Sequence, residues 1–134
     1  MATFPLKIVC PDGVKFEGQI HQLTVRTTSG EMGILARHIN CVAPLGMGQA
    51  TIITEDGPRH AACIGGMVSM VDGKATLVPT TFEWADEIDV ARADRSHHRA
   101  QATLQDKNAT KSDLVLAEAR LKRALVRRSV AARK

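Results

Sequence analysis

The sequence predicts an α+β protein: an antiparallel β-sandwich or barrel over residues 1–85, followed by an antiparallel two-helix hairpin over residues 86–134. Three observations carry this. The glycines and all five prolines (Pro5, Pro11, Pro44, Pro58, Pro79) lie before residue 86. The same region holds short runs of strand-forming residues: LKIVC, GVKFEG, HQLTVRT, QATIIT, HAACI, MVSMV and KATLVP. Many short strands at regular spacing suit a sandwich or barrel. From Asp86 onward Ala, Leu, Arg and Lys dominate, and these are strong helix formers.

Within the first region, Asp12-Gly13, Asp56-Gly57 and Asp72-Gly73 are turn dipeptides in which Gly accepts the positive φ of a hairpin turn. QATIIT-EDGPR-HAACI reads as one hairpin and MVSMV-DGK-ATLVP as another. Asp86 is expected to cap the first helix, with the neighbouring acids at the positive end of its dipole. QDKNATKS interrupts the pattern, and Thr110 with Asp113 three residues on resembles a capping box that restarts a second helix. Each helix has roughly 18–20 residues and a length of ~27–30 Å. Val90, Ala93, His97, Ala100 and Leu104 form a thin stripe on the first; Leu114, Ala117, Leu121 and Leu125 do so on the second. Seams this small stabilise by only a few kcal/mol at ~25 cal/mol per Å², and chain entropy offsets most of it. The hairpin is therefore expected to dock conditionally, as a switch requires.

Charge divides along the same line. Residues 1–85 hold 6 Lys+Arg against 7 Asp+Glu, whereas residues 86–134 hold 12 against 7. A near-neutral front and a basic back suggest that the helices meet an acidic partner. Aromatics are confined to Phe4, Phe16, Phe82 and Trp84, so base-stacking platforms are scarce. No apolar run approaches the ~18 residues of a membrane span, and no signal or transit peptide is evident at MATFPLKIVC. Cys10, Cys41 and Cys63 are odd in number and widely spaced. They are expected to be reduced, buried and cytosolic, without a disulfide or structural zinc.

Asp89, Arg92, Ser96 and Arg99 fall within about 80° of helix arc. Arg120, Arg123 and Arg127 are expected opposite the second helix's apolar stripe. Should the helices pair, the two polar faces converge and present guanidinium forks suited to phosphate oxygens. By spacing alone the ordinary reading is a solvated face with a weak Asp–Arg pair. No phosphate loop is present: six residues separate Gly66 from Gly73, and Ala75 stands where a hydroxyl is needed. The five histidines have no partner at ligand spacing, and no nucleophile–base arrangement can be assembled. The chain reads as non-catalytic, with no required cofactor. A free-standing basic adaptor for nucleic acid is the alternative of a different class, and it would bind with steep salt dependence.

The ordered motifs resemble the ε-subunit family of bacterial F-type ATP synthases over essentially the whole chain. LKIVCPDGVKFEG is similar to the family's opening strand, turn and strand. Gly30, Glu31, Gly33, Ile34, Leu35, His38, Leu45 and Gly48 match its Gly-Glu-x-Gly-Ile-Leu…His…Leu-x-x-Gly signature, and Ile64-Gly65-Gly66-Met67-Val68 its Gly-Gly strand. Glu83 to Asp89 match its acidic junction. Arg37 departs from the pattern, standing where the family usually has Gly or a small residue. The resemblance implies a sandwich of about ten strands and a rotor subunit that docks on γ and the c-ring through loops around Glu31 and His38. It also implies ATP as a regulatory ligand. Ile88-Asp89-Val90-Ala91-Arg92-Ala93 fits the family's Asp-x-x-Arg-Ala nucleotide motif, Arg123-Ala124-Leu125-Val126-Arg127 its second-helix motif, and Glu83 its upstream acid. Trp84, smaller or polar in many relatives, is placed to crowd or stack on an adenine. On this resemblance an opened hairpin, with basic residues such as Arg120, Lys122 and Arg128, reaches acidic β-subunit segments of the α/β hexamer and blocks hydrolysis. The implied location is peripheral, at the cytoplasmic face of the bacterial cell membrane, without membrane insertion or nucleic acid.

Overall fold

Leu6, Ile8 and Cys10 bury one side of the first strand while Lys7 and Val9 turn outward, the period-2 alternation of a half-covered strand. The computed structural model describes residues 2–133. Eight strands are present: β1 (Phe4–Cys10), β2 (Gly13–Ile20), β3 (Gln22–Thr27), β4 (Gly30–Leu35), β5 (Cys41–Pro44), β6 (Met47–Thr54), β7 (Gly57–Val71) and β8 (Lys74–Trp84). They hydrogen-bond in the order β2-β1-β8-β7-β6-β3-β4, with β5 on β7.

Eight strands rather than about ten follow from the lengths of β7 and β8, 15 and 11 residues. The first half of β7 pairs with β6 and its second half with β5, while β8 follows β7 through both. These two strands run through both layers of the sandwich, so five strand segments build each layer. The bend lies at Gly65 and Gly66, both at positive φ (69° and 97°). HAACI and MVSMV are thus one strand, and β8 continues past Pro79 to Trp84. One pairing is parallel, Leu6↔Ala75 to Ile8↔Leu77 between β1 and β8, where the opening strand meets the closing one. Of the turn dipeptides, Asp72-Gly73 forms the centre of a two-residue turn with φ of 49° and 80°, as a type I′ hairpin requires. Gly13 and Gly57 instead open their strands.

The core is aliphatic, with Leu6, Ile8, Ile20, Leu23, Ile34, Ile52 and Leu77 essentially inaccessible. Helices α1 (Val90–Gln105) and α2 (Lys111–Ala131) follow a short 3-10 turn at Ala85–Glu87. That turn displaces the expected cap. Asp89, not Asp86, caps α1, its carboxylate accepting the Arg92 N–H at 3.0 Å. Thr110 and Asp113 form the capping box of α2 in both directions. The seam between the helices is narrower than expected. Ala93 and Ala100 face Ala117 and Ala124, all buried, whereas Val90, Leu104 and Leu125 are exposed. Alanine lets two backbones approach closely, and a leucine on the same line would hold them apart. The arginines of α2 therefore flank the seam instead of lying opposite it.

Candidate functional site

The end of β8 presents alternate residues to opposite sides of the sheet. Phe82 and Trp84 enter the core, and Glu83 between them faces the helices. Trp84 packs edge-on against Phe82 at 4.9 Å and Phe16 at 6.2 Å, with the Arg59 guanidinium 3.7 Å from its ring centre. It therefore does not stack in the helical cleft, contrary to the expectation for Trp84; strand alternation assigns that cleft to Glu83.

Glu83 meets α2 directly. The Arg127 Nε donates to Glu83 Oε1 at 2.7 Å, between half-buried side chains. A second ion pair, Arg128 to Asp94 at 2.9 Å, ties α2 to α1. With the hairpin so held, Glu83 from the sandwich, Asp89, Arg92, Ser96 and Arg99 from α1, and Arg127 from α2 line one cleft of about 220 Å³. It adjoins a larger interhelical groove of about 770 Å³, lined by Ser96, Arg99, Arg120, Arg123 and Arg127 among others. The structure thus gathers Glu83, Asp89, Arg92, Arg123 and Arg127 around two connected cavities, and adds Ser96 and Arg99 where they join.

The residues expected to meet partner chains are dispersed. Glu31 is exposed on β4 opposite Arg26. His38 follows β4, its Nδ1 donating to the Ile39 carbonyl at 2.8 Å with Cys41 Sγ at 3.8 Å. Arg120 is exposed along the groove, and Lys122 forms an outward pair with Glu118 at 3.6 Å. Arg128 is engaged by Asp94 while the hairpin is closed. Arg37 has a φ of 69°, the left-handed region that favours glycine, so an arginine here carries backbone strain. The Glu83–Arg127 pair spans 44 positions, and no spacing within either helix signals it.

Burial pushes the Cys63 thiol up to about 12 and raises that of Cys10, with Asp12 adding to the latter. Both thiols stay protonated and act as small core residues. Among the described residues no group of His, Cys, Asp and Glu is arranged to hold a metal. No described helix is long and apolar enough to cross a membrane.

A β-sandwich followed by a helical hairpin is also what comparison with known proteins returns. Residues 3–85 match the family described as ATP synthase, Delta/Epsilon chain, beta-sandwich domain, and residues 86–132 match its long alpha-helix domain. The chain belongs to the ATP synthase delta/epsilon chain family. Its relatives include the ATP synthase epsilon chains of Ruminococcus albus, 41% identical over 100% of both chains, and of Bacillus cytotoxicus, 40% identical over 97% of both. Among solved structures it resembles a chain of the Euglena gracilis mitochondrial ATP synthase, at TM-score 0.84 and 23% identity over 100% of this chain and 83% of that one. A chain of the Tetrahymena thermophila mitochondrial ATP synthase central stalk and c-ring aligns at TM-score 0.65 and 14% identity over 95% of each. At these identities the likeness is one of fold.

Proposed function

We propose that this chain is a non-catalytic rotor subunit that couples proton translocation to rotary ATP synthesis and restrains ATP hydrolysis through its hairpin. In this reading the sandwich docks on γ and the c-ring, at the cytoplasmic face of a bacterial membrane. When open, the hairpin offers Arg120, Lys122 and Arg128 to acidic segments of the α/β hexamer. ATP acts as a regulatory ligand of the closed hairpin, held by Glu83, Asp89, Arg92, Arg123 and Arg127.

One observation carries the proposal: the closed hairpin joins an acid from the sandwich, an Asp–Arg pair from α1 and arginines from α2 around connected cavities. The parts come from three elements, so the site exists only while the hairpin is down. A ligand that binds only the closed state must favour it, by about 2.7 kcal/mol at a hundred times its dissociation constant. Closing the hairpin also pairs Arg128 with Asp94, which competes with any outside acid.

The test is hydrolysis by the assembled synthase at low and millimolar ATP. Truncation after Ala85 is expected to raise hydrolysis at low ATP and to change it little at millimolar ATP, where the hairpin is already closed, and Arg92→Ala to keep the enzyme inhibited at millimolar ATP. Unchanged hydrolysis at low ATP after truncation removes the inhibitory role, and normal relief in Arg92→Ala removes the nucleotide role.

A further inference from the structure

The interhelical groove carries more positive charge than the hairpin's own carboxylates balance. Arg99, Arg120 and Arg123 of the groove, and Arg92 of the adjoining cleft, have no carboxylate within ion-pair distance among the described residues. The groove's two acids, Asp106 and Asp113, sit at the turn end. There each accepts a backbone N–H, from Asn108 at 2.9 Å and Thr110 at 3.1 Å. Glu83 and Asp89 stand at the sandwich end. Between the two ends, guanidinium groups from both helices face the groove without opposing charge.

Their order along the groove is regular. The Asp94–Arg128 pair fixes the antiparallel stagger, which sets Arg99 level with Arg123 and carries Arg120 further toward the turn, beside Ala102 and Thr103. Arg92 and Arg99 are seven residues apart, as are Arg120 and Arg127, each spacing amounting to about 10 Å of helix. Planar guanidinium forks suit phosphate oxygens bidentately. A flexible chain of linked phosphates can meet such a ladder step by step, whereas a compact anion meets one rung.

We propose that the groove binds linear polyphosphate chains, inorganic ones included, by contacts from both helices. Arg120 extends the site beyond the three phosphates of a nucleoside triphosphate. The inference shares its cavities with the nucleotide reading but needs no nucleoside. The polyanion removes repulsion between helices joined by a seam of alanines, and so it closes the hairpin by itself.

The experiment is calorimetric titration of the full chain, at one ionic strength, with inorganic tripolyphosphate, a longer linear polyphosphate, ATP and sulfate. The longer chain is expected to bind at least as tightly as ATP. Arg120→Gln should weaken it about tenfold and change ATP affinity less than about twofold, since one charge-assisted contact is lost. Arg95→Gln, on an exposed residue lining neither cavity, removes the same charge elsewhere. Equal weakening by Arg95→Gln would reveal diffuse attraction and overturn the site, as would polyphosphate binding no tighter than sulfate while ATP binds. Polyphosphate binding without ATP binding removes the nucleotide reading and leaves this one standing. Binding of neither ends both.

Discussion

Gly66 shows how much of the architecture rests on a single missing side chain. Its φ is 97°, and a Cβ placed there would lie 2.0 Å from the Val78 carbonyl oxygen and 2.7 Å from Pro79 Cα. Both neighbours are backbone of the paired strand, so neither yields as a flexible side chain would. Gly66→Ala combines a disfavoured backbone with a clash at the point where β7 passes from one layer to the other. The expected loss is at least about 3 kcal/mol, read from denaturant midpoints of the isolated chain. A loss under about 1 kcal/mol would mean that the bend tolerates a side chain. Gly73 is the internal comparison: its φ is 80°, yet nothing lies within 4 Å of the added Cβ.

The helices show which kinds of information a sequence exposes. The capping box at Thr110 was legible because both of its hydrogen bonds close within four residues. The start of α1 was not: Ala85 and Ile88 are buried against the end of α2, and this tertiary contact favours a 3-10 turn that local propensity does not announce. The same holds for the site. Asp89 and Arg92 could be read from spacing on one helix, and the arginines of α2 from spacing on the other. Glu83 entered only through a family resemblance, because its partner lies in the last turns of α2. HAACI and MVSMV read as two strands for a related reason, since a Gly-Gly bend looks like a break in sequence while the hydrogen-bond ladder continues. The capping box carries a prediction of its own. Thr110→Ala should weaken the start of α2 by about 1 kcal/mol and leave the sandwich untouched. Amide exchange should accelerate across residues 111–116 and stay unchanged in β1, β7 and β8. Uniform acceleration in both parts would contradict the separation of hairpin and sandwich stability.

The two parts are joined by little. Ala62, Ala85 and Ile88 receive Val130 and Ala131, with Val126 at the margin, and the half-buried Glu83–Arg127 pair adds one polar contact. Apolar patches of this size contribute a few kcal/mol at ~25 cal/mol per Å², and a partly exposed ion pair contributes about 1 kcal/mol or less. Docking is therefore weak beside the sandwich core, which forms a hydrophobic cluster separate from the one that receives α2. That imbalance allows the hairpin to leave without unfolding what it leaves. Val130→Asp isolates this step, because Val130 is 1% exposed when docked yet belongs to neither the alanine seam nor the sandwich core. Burying an unpaired carboxylate there costs several kcal/mol, and opening the hairpin removes that cost. Trypsin should then cut first within residues 92–128 of the variant, leaving the sandwich as a resistant fragment, while the native chain resists throughout. Equal resistance in the two proteins would place the docking energy elsewhere. Simultaneous loss of the sandwich would mean that hairpin and sandwich fold as one cooperative unit, in which a switch of this kind has no room to operate.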